Sequence, residues 1–195
     1  MPHIQVKDVA ASVDRSLALG GRELMSGKDD EGNMLWAGVL DPDGAAFGLI
    51  PVVGADQFSA PEGELTGEGY MGTGRIAWLD LTVVDAERAR DFYNAVIGWS
   101  VSDVAMEDGD GRYVDYVMSG EDGESVAGIC HARGVNSGIA PVWMLYLPVG
   151  DLGESIRLAQ EEGGTVVKES RGADGELTSV IIQDPLGVYI SLAVG

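Results

Sequence analysis

The 195-residue chain is 45% hydrophobic, enough apolar content for a packed core and too much for a disordered segment. Its 32 acidic residues against 12 Lys and Arg give a formal charge of -20, which argues against a nucleic-acid partner and against an anionic membrane surface. No apolar run approaches the ~18 residues of a membrane span, the start lacks a secretory pattern, and the lone Cys130 allows neither an intrachain disulfide nor a Cys-rich zinc site, so a cytoplasmic protein is expected.

In chain order, Ile4 and Val6 alternate with His3, Gln5 and Lys7 as a short strand. Asp8 stands at a helix N-cap, Val9, Val13 and Leu17 follow at helical spacing, and Gly20-Gly21 stops the helix. Two strands joined at Asp29-Asp30-Glu31-Gly32 come next, then an Asp41-Pro42-Asp43-Gly44 turn and a last strand, Phe47 to Val52. Residues 54–74, rich in Gly and Glu, read as a flexible linker. A second unit, 75–131, opens with the strand Trp78 to Val84. Asp85 caps a helix with Ala89, Phe92, Tyr93, Val96 and Ile97 on one face, and the strands Tyr113 to Met118 and Ser125 to Cys130 follow. A third unit, 142–195, begins with Leu145, Leu147 and Val149 alternating with Met144, Tyr146 and Pro148. Asp151 caps its helix with Glu154 at capping-box spacing, Gly163-Gly164 ends it, and Val188 to Val194 closes the unit.

The units are repeats. A shift of 143 positions lays residues 1–52 on 144–195 without a gap, matching Asp8 to Asp151, Gly20-Gly21 to Gly163-Gly164 and Asp41-Pro42 to Asp184-Pro185. Each reads βαβββ, an α+β arrangement. Residues 1–53 are then an unpaired closing-type module, and 75–195 form a complete two-module domain.

The run Trp78-Leu79-Asp80-Leu81-Thr82-Val83-Val84-Asp85, with Phe92-Tyr93 and Ile97-Gly98-Trp99, resembles the opening module of the vicinal oxygen chelate superfamily. That group holds glyoxalase I, extradiol dioxygenases and the bleomycin- and fosfomycin-resistance proteins. The third unit resembles its closing module, and the whole is similar to two-domain glyoxalase-like proteins with one module missing. The resemblance implies a paired-module fold whose curled sheets form a half-open cavity. It also implies metal ligands on the first and last strands of each module. Counted from the caps and turns, those positions fall on Trp78, Gly128, Met144 and Ser191, and in the first unit on Met1 and Gly48. None supplies imidazole or carboxylate, so neither a metal nor another cofactor is expected.

Strand parity then predicts the cavity lining: Trp78, Asp80 and Thr82 from one strand, Gly128 and Cys130 from a second, Met144 and Tyr146 from a third, Tyr189 and Ser191 from a fourth. An aromatic wall with few polar groups suits a small organic ligand, as in a drug-binding resistance protein. The alternative is a glyoxalase-like lyase or isomerase, with a displaced metal site or with Asp80 as general base. Asp80 as a wet carboxylate, Trp78 and Tyr146 as fillers, and His131 on the far side of its strand from Cys130 are the plainer readings. Glu87, Arg88 and Arg90 read as a solvated helix face. The odd module leaves a strand edge open, which three arrangements would satisfy: a homodimer through residues 1–53, packing of that unit on 75–195, or a further module upstream. The homodimer is the expected one.

Overall fold

Helices begin where an aspartate takes up an orphan backbone donor. The side chains of Asp8, Asp85 and Asp151 accept from the N–H groups of Ala11, Arg88 and Glu154 at 2.9, 3.0 and 2.9 Å. Glu154 does not complete a capping box; its carboxylate pairs with Arg157 one turn on. Each helix stops at a glycine in the left-handed region, Gly20, Gly98 or Gly163, with φ of 92°, 91° and 88°. The two Asp-Pro turns are held alike. Asp41 Oδ1 accepts from the N–H groups of Asp43 and Ala45, and Asp184 Oδ1 from those of Leu186 and Val188.

This computed structural model describes residues 1–54 and 76–195. The elements are β1 (His3–Val6), α1 (Val9–Ala18), β2 (Arg22–Lys28), β3 (Met34–Leu40), β4 (Ala46–Pro51), β5 (Trp78–Val83), α2 (Ala86–Ile97) and β6 (Ser100–Asp108). There follow β7 (Gly111–Ser119), β8 (Ser125–His131), β9 (Trp143–Val149), α3 (Leu152–Glu161), β10 (Thr165–Arg171), β11 (Leu177–Gln183) and β12 (Tyr189–Val194). The order βαβββ occurs three times in an α+β fold. The expected linker, apart from Gly54, lies outside the described residues. The chain divides into two compact units, the first from the described part of Met1–Gly63 with Leu81–Trp143, the second from the described part of Glu64–Asp80 with Met144–Gly195.

In the first unit, β1-β4-β3-β2 form one sheet and the end of β5 joins β8-β7-β6 in another. Ile4, Val6, Val39, Phe47 and Leu49 are buried with Val9 and Val13 of α1; Leu81, Val83, Ala127 and Ile129 are buried with Ala89, Phe92, Tyr93 and Val96 of α2. The two helices lie against each other. Phe47 meets Phe92 and Tyr93 edge-on, with centroids 6.1 and 5.2 Å apart, and Tyr93 meets Trp143 at 5.0 Å. A polar chain runs through this aromatic core. The Trp143 indole N–H donates to the Tyr93 hydroxyl, which donates to Asp41 Oδ2, each at 2.9 Å. Arg15 donates to Val96 O in the last turn of α2, and Arg88 pairs with Asp43 of the first Asp-Pro turn. The first repeat therefore spends its helix face on the second, and the expected solvated face of α2 is partly engaged. Arg88 holds that turn, and the Arg90 guanidinium lies 4.5 Å from the centre of the Tyr116 ring.

In the second unit, β10-β11-β12-β9 form a sheet, and Trp78–Asp80 run beside β9, where the Ala77 N–H donates to Tyr146 O at 2.8 Å. Leu152 of α3 packs with Val180 and Ile182, joined by Ile156, Ala159, Ile190 and Leu192. That places Ile190 and Leu192 toward α3, and hence Tyr189 and Ser191 on the other face.

Candidate functional site

The sheet face of the second unit that turns away from α3 carries four of the expected ligand-binding residues, Met144, Tyr146, Tyr189 and Ser191. Tyr146 of β9 lies directly across from Ser191 of β12, and Ile181 of β11 flanks Ser191 on its other side. The Ser191 hydroxyl is fully buried and has no hydrogen-bond partner among the described residues. Tyr189 is one pleat along on the same strand and stands opposite Gln183. Met144 shares the parity of Tyr146 and is buried. On β5, Trp78 and Asp80 are two residues apart and so share a face. The Trp78 indole N–H donates to Asp80 Oδ1 at 2.7 Å. Of the carboxylate expected to act as a base, one oxygen is thus already engaged.

Thr82, Gly128 and Cys130 belong to the first unit. Leu81 and Val83 are buried on one face of β5, which leaves Thr82 on the opposite face, where it too is buried. The parity of Ala127 and Ile129 places Gly128 and Cys130 likewise, with Gly128 across from Val117. Cys130 is a half-buried thiol.

A cluster that the sequence reading missed lies at the end of β8. Asp115 is buried, and its Oδ1 accepts the His131 backbone N–H at 2.8 Å and stands 3.1 Å from His131 Nδ1. The carboxylate replaces a rung of the ladder, whose pairing ends at Tyr116 and Ile129. Its Oδ2 is buried and unpartnered among the described residues. The His131 ring meets Tyr113 edge-on at 5.8 Å, with 21% of its side chain exposed. Arg133 stacks over Tyr113 and grips Asp108 through two hydrogen bonds of 2.7 Å. That ion pair lowers the Asp108 carboxyl below its ordinary value, while burial raises the Tyr113 phenol. The one legible sign of the cluster was an aspartate inside the otherwise apolar run Tyr113-Val114-Asp115-Tyr116-Val117-Met118.

At the positions where the resemblance implies metal ligands, each side chain taken by itself is a poor donor for a divalent ion. Trp78 spends its one ring donor on Asp80, Gly128 has no side chain, Met144 offers a buried thioether, and Ser191 offers a neutral hydroxyl. Hard divalent cations need carboxylate or carbonyl oxygens, and zinc needs imidazole, thiolate or carboxylate. Among the described residues, no three His, Cys, Asp or Glu side chains converge.

A cleft of about 630 Å³ in the first unit is lined by Lys7, Asp8, Arg15, Trp99 and Glu121. Its cations are engaged, Lys7 with Glu121 and Arg15 with Ser12 Oγ and Val96 O. The buried Ser12 hydroxyl in its lining is engaged by Arg15.

The anthracycline biosynthesis protein DnrV of Streptomyces peucetius is 29% identical over 163 residues, covering 83% of this chain and 54% of DnrV. CFP32 of Mycobacterium tuberculosis, named as a candidate glyoxylase, is 29% identical over 116 residues, covering 59% of this chain and 43% of its own. The chain thus spans about half the length of the curated relatives it matches. Among solved structures, a mutant 4-hydroxymandelate synthase from Streptomyces coelicolor aligns with 99% of this chain and 71% of its own, at a TM-score of 0.51 and 13% identity, a likeness of fold alone. The family model described as Glyoxalase/Bleomycin resistance protein/Dioxygenase superfamily matches residues 75–192, so the chain belongs to that superfamily.

Proposed function

We propose that this chain binds a small aromatic organic molecule, of the drug-binding type, on the sheet face of the second unit that carries Tyr146, Tyr189 and Ser191, with Trp78 on the strand beside it, and without a bound metal. The observation that carries the reading is the buried Ser191 hydroxyl with no partner among the described residues, set beside Tyr146. An unsatisfied buried hydroxyl costs about 1–3 kcal/mol, a cost that a ligand's hydrogen bond would offset. Trp78, Tyr146 and Tyr189 offer flat apolar surface for stacking. A relative named for anthracycline biosynthesis supports a polycyclic aromatic as the ligand class. The test is a fluorescence titration with an anthracycline. Trp78→Ala should weaken binding about tenfold, the ~1.4 kcal/mol expected for lost stacking. Ser191→Ala should weaken binding while leaving the ligand-free protein as stable or more so. No quenching and no thermal shift at any soluble anthracycline concentration would remove the proposal.

A second reading, a glyoxalase-like lyase or isomerase, is favoured by one observation. Asp115 is a buried carboxylate that orients a partly exposed imidazole. In the tautomer that donates from Nδ1 to Asp115, Nε2 is the proton acceptor, the role expected of Asp80 from the sequence. Turnover of the hemithioacetal of methylglyoxal and glutathione, lost in His131→Gln and reduced in Asp115→Asn, would support it. Absence of turnover with intact anthracycline binding favours the first reading.

A further inference from the structure

One row of side chains crosses the sheet of the second unit from edge strand to β9. Lys168 of β10 stands opposite Ile181 of β11, Ile181 opposite Ser191 of β12, and Ser191 beside Tyr146 of β9. Cross-strand partners project from the same face. Val180 and Ile182 pack toward α3, so Ile181 and its row lie on the face away from that helix. A bulge delivers Lys168 to this row. Val166 packs toward α3, and by simple alternation Lys168, two residues on, would do the same. Between Val166 and Lys168 the ladder slips: β10 advances two residues while β11 advances one, from Ile182 to Ile181. The extra residue turns Lys168 onto the face that carries Ser191 and Tyr146.

The first repeat has the same row and the same slip. The 143-residue shift carries Lys168, Ile181, Ser191 and Tyr146 onto Met25, Gly38, Gly48 and His3, which pair in that order after a slip between Glu23 and Met25. The bulge therefore belongs to the repeat, and the cation is what distinguishes the third copy from the first. Lys168 is half-buried, and burial lowers its ammonium below the ordinary value. Among the described residues of the second unit it is the one cation on this face. Arg157 lies on α3, paired with Glu154 and Glu161, and Arg171 stands opposite Leu177, which packs toward α3.

We propose that Lys168 is a specificity-determining residue of the ligand surface, selecting aromatic molecules that carry an anionic oxygen, a carboxylate or an ionised phenol. The inference rests on the ligand reading given above for the second unit. β10 and β12 are two strand spacings apart, about 10 Å. A fused aromatic ring system lying over Ile181 spans that gap, with one end at the Ser191 hydroxyl and its acidic oxygen at the Lys168 ammonium. The long-range field of a chain of charge -20 repels an anionic ligand, so recognition of one needs a cation at short range. An ammonium already partly withdrawn from water gains more from an anion than a fully solvated one does.

The test is a pair of fluorescence titrations of the full chain, one with anthraquinone-2-carboxylate and one with its neutral carboxamide. The parent should bind the carboxylate about tenfold more tightly, the order expected of a charge-assisted bond. Lys168→Met, which places there the residue type of the first repeat, should bring the ratio of the two affinities to about one, and Lys168→Arg should keep the carboxylate preferred. Lys28→Met makes the same change of charge on β2 and should leave the ratio as in the parent. Should Lys168→Met not fold, Lys168→Gln reads the same ratio. Equal affinities in the parent, or a preference that survives loss of the ammonium, overturn the role of Lys168 and leave the ligand surface standing. A parent that binds neither probe overturns the ligand surface and this inference with it.

Discussion

Tyr93→Phe is the most informative single change in the first unit. It removes one oxygen and keeps the ring, whose contacts with Phe47, Phe92 and Trp143 lie at 5.2, 5.1 and 5.0 Å. That oxygen serves two buried partners, as donor to Asp41 Oδ2 and as acceptor from Trp143 Nε1. Tyr93 is completely buried, so the space left is enclosed by Phe47, Phe92 and Trp143 rather than open to solvent. Each abandoned group costs about 1–3 kcal/mol, the carboxylate at the upper end. The expected loss is about 2–5 kcal/mol, a large fraction of the ~5–15 kcal/mol that holds a domain folded. Urea denaturation followed by tryptophan emission reads it directly, since Trp99 and Trp143 both lie in this core. Asp41→Asn should cost far less when added to the Tyr93→Phe variant than when made alone, because the two residues share one bond. A loss under about 0.5 kcal/mol, within the range of ordinary surface changes, or strict additivity of the pair, would refute the idea that this chain of bonds ties the first repeat to the second.

Burial raises the Asp41 carboxyl above its ordinary 3.8, so the folded protein keeps that proton to higher pH than the unfolded chain does. Its contribution is fully present below 3.8 and is lost as pH rises through the raised value; urea midpoints of the parent should therefore fall relative to Asp41→Asn across the window just above 3.8. Asp108, lowered by Arg133, has the opposite sign: Asp108→Asn should be less stable than the parent above 3.8, and the difference should vanish as pH falls through the lowered value. Gly21→Ala should destabilise the first repeat by about 1–3 kcal/mol, the range for an overpacked site. A Cβ there would sit 2.2 Å from Ser16 Oγ and 2.9 Å from two backbone carbonyls, and a thermal melt equal to the parent's would contradict the packing. Gly27→Ala should cost less, because its clash is with the Trp36 indole, which is exposed and free to swing.

The repeat was legible because its marks are local. Asp8, Asp85 and Asp151 each fix a helix start through a bond to an N–H three residues on, and each glycine stop needs only its own positive φ. Parity along β9 and β12 follows from two-residue alternation alone, so the faces of Tyr146 and Ser191 could be assigned without partners. β6 was not read residue by residue: Val101, Val104 and Met106 do not alternate strictly, and Asp103, Glu107 and Asp108 interrupt them. The site beyond the repeat depends on distance in sequence. Asp41 was read as a turn residue, and its Oδ1 is one, but Oδ2 meets Tyr93 52 positions away. Asp115 and His131 meet only because the β7–β8 ladder stops short and a side chain takes over a rung, a register event that alternation does not reveal. Arg88 reads as solvated until the turn at Asp43 folds onto it.

The proposal on which most depends is that the second unit binds an organic ligand beside Tyr146, Tyr189 and Ser191, with Trp78 on the neighbouring strand, and does so without a bound metal. Elemental analysis of the purified chain, after dialysis against each candidate metal, tests this most directly. The account predicts zinc, nickel, iron and manganese all far below one per chain, with anthracycline binding unchanged by a chelator. One equivalent of any of them, retained through dialysis and lost together with ligand binding on chelation, would contradict it.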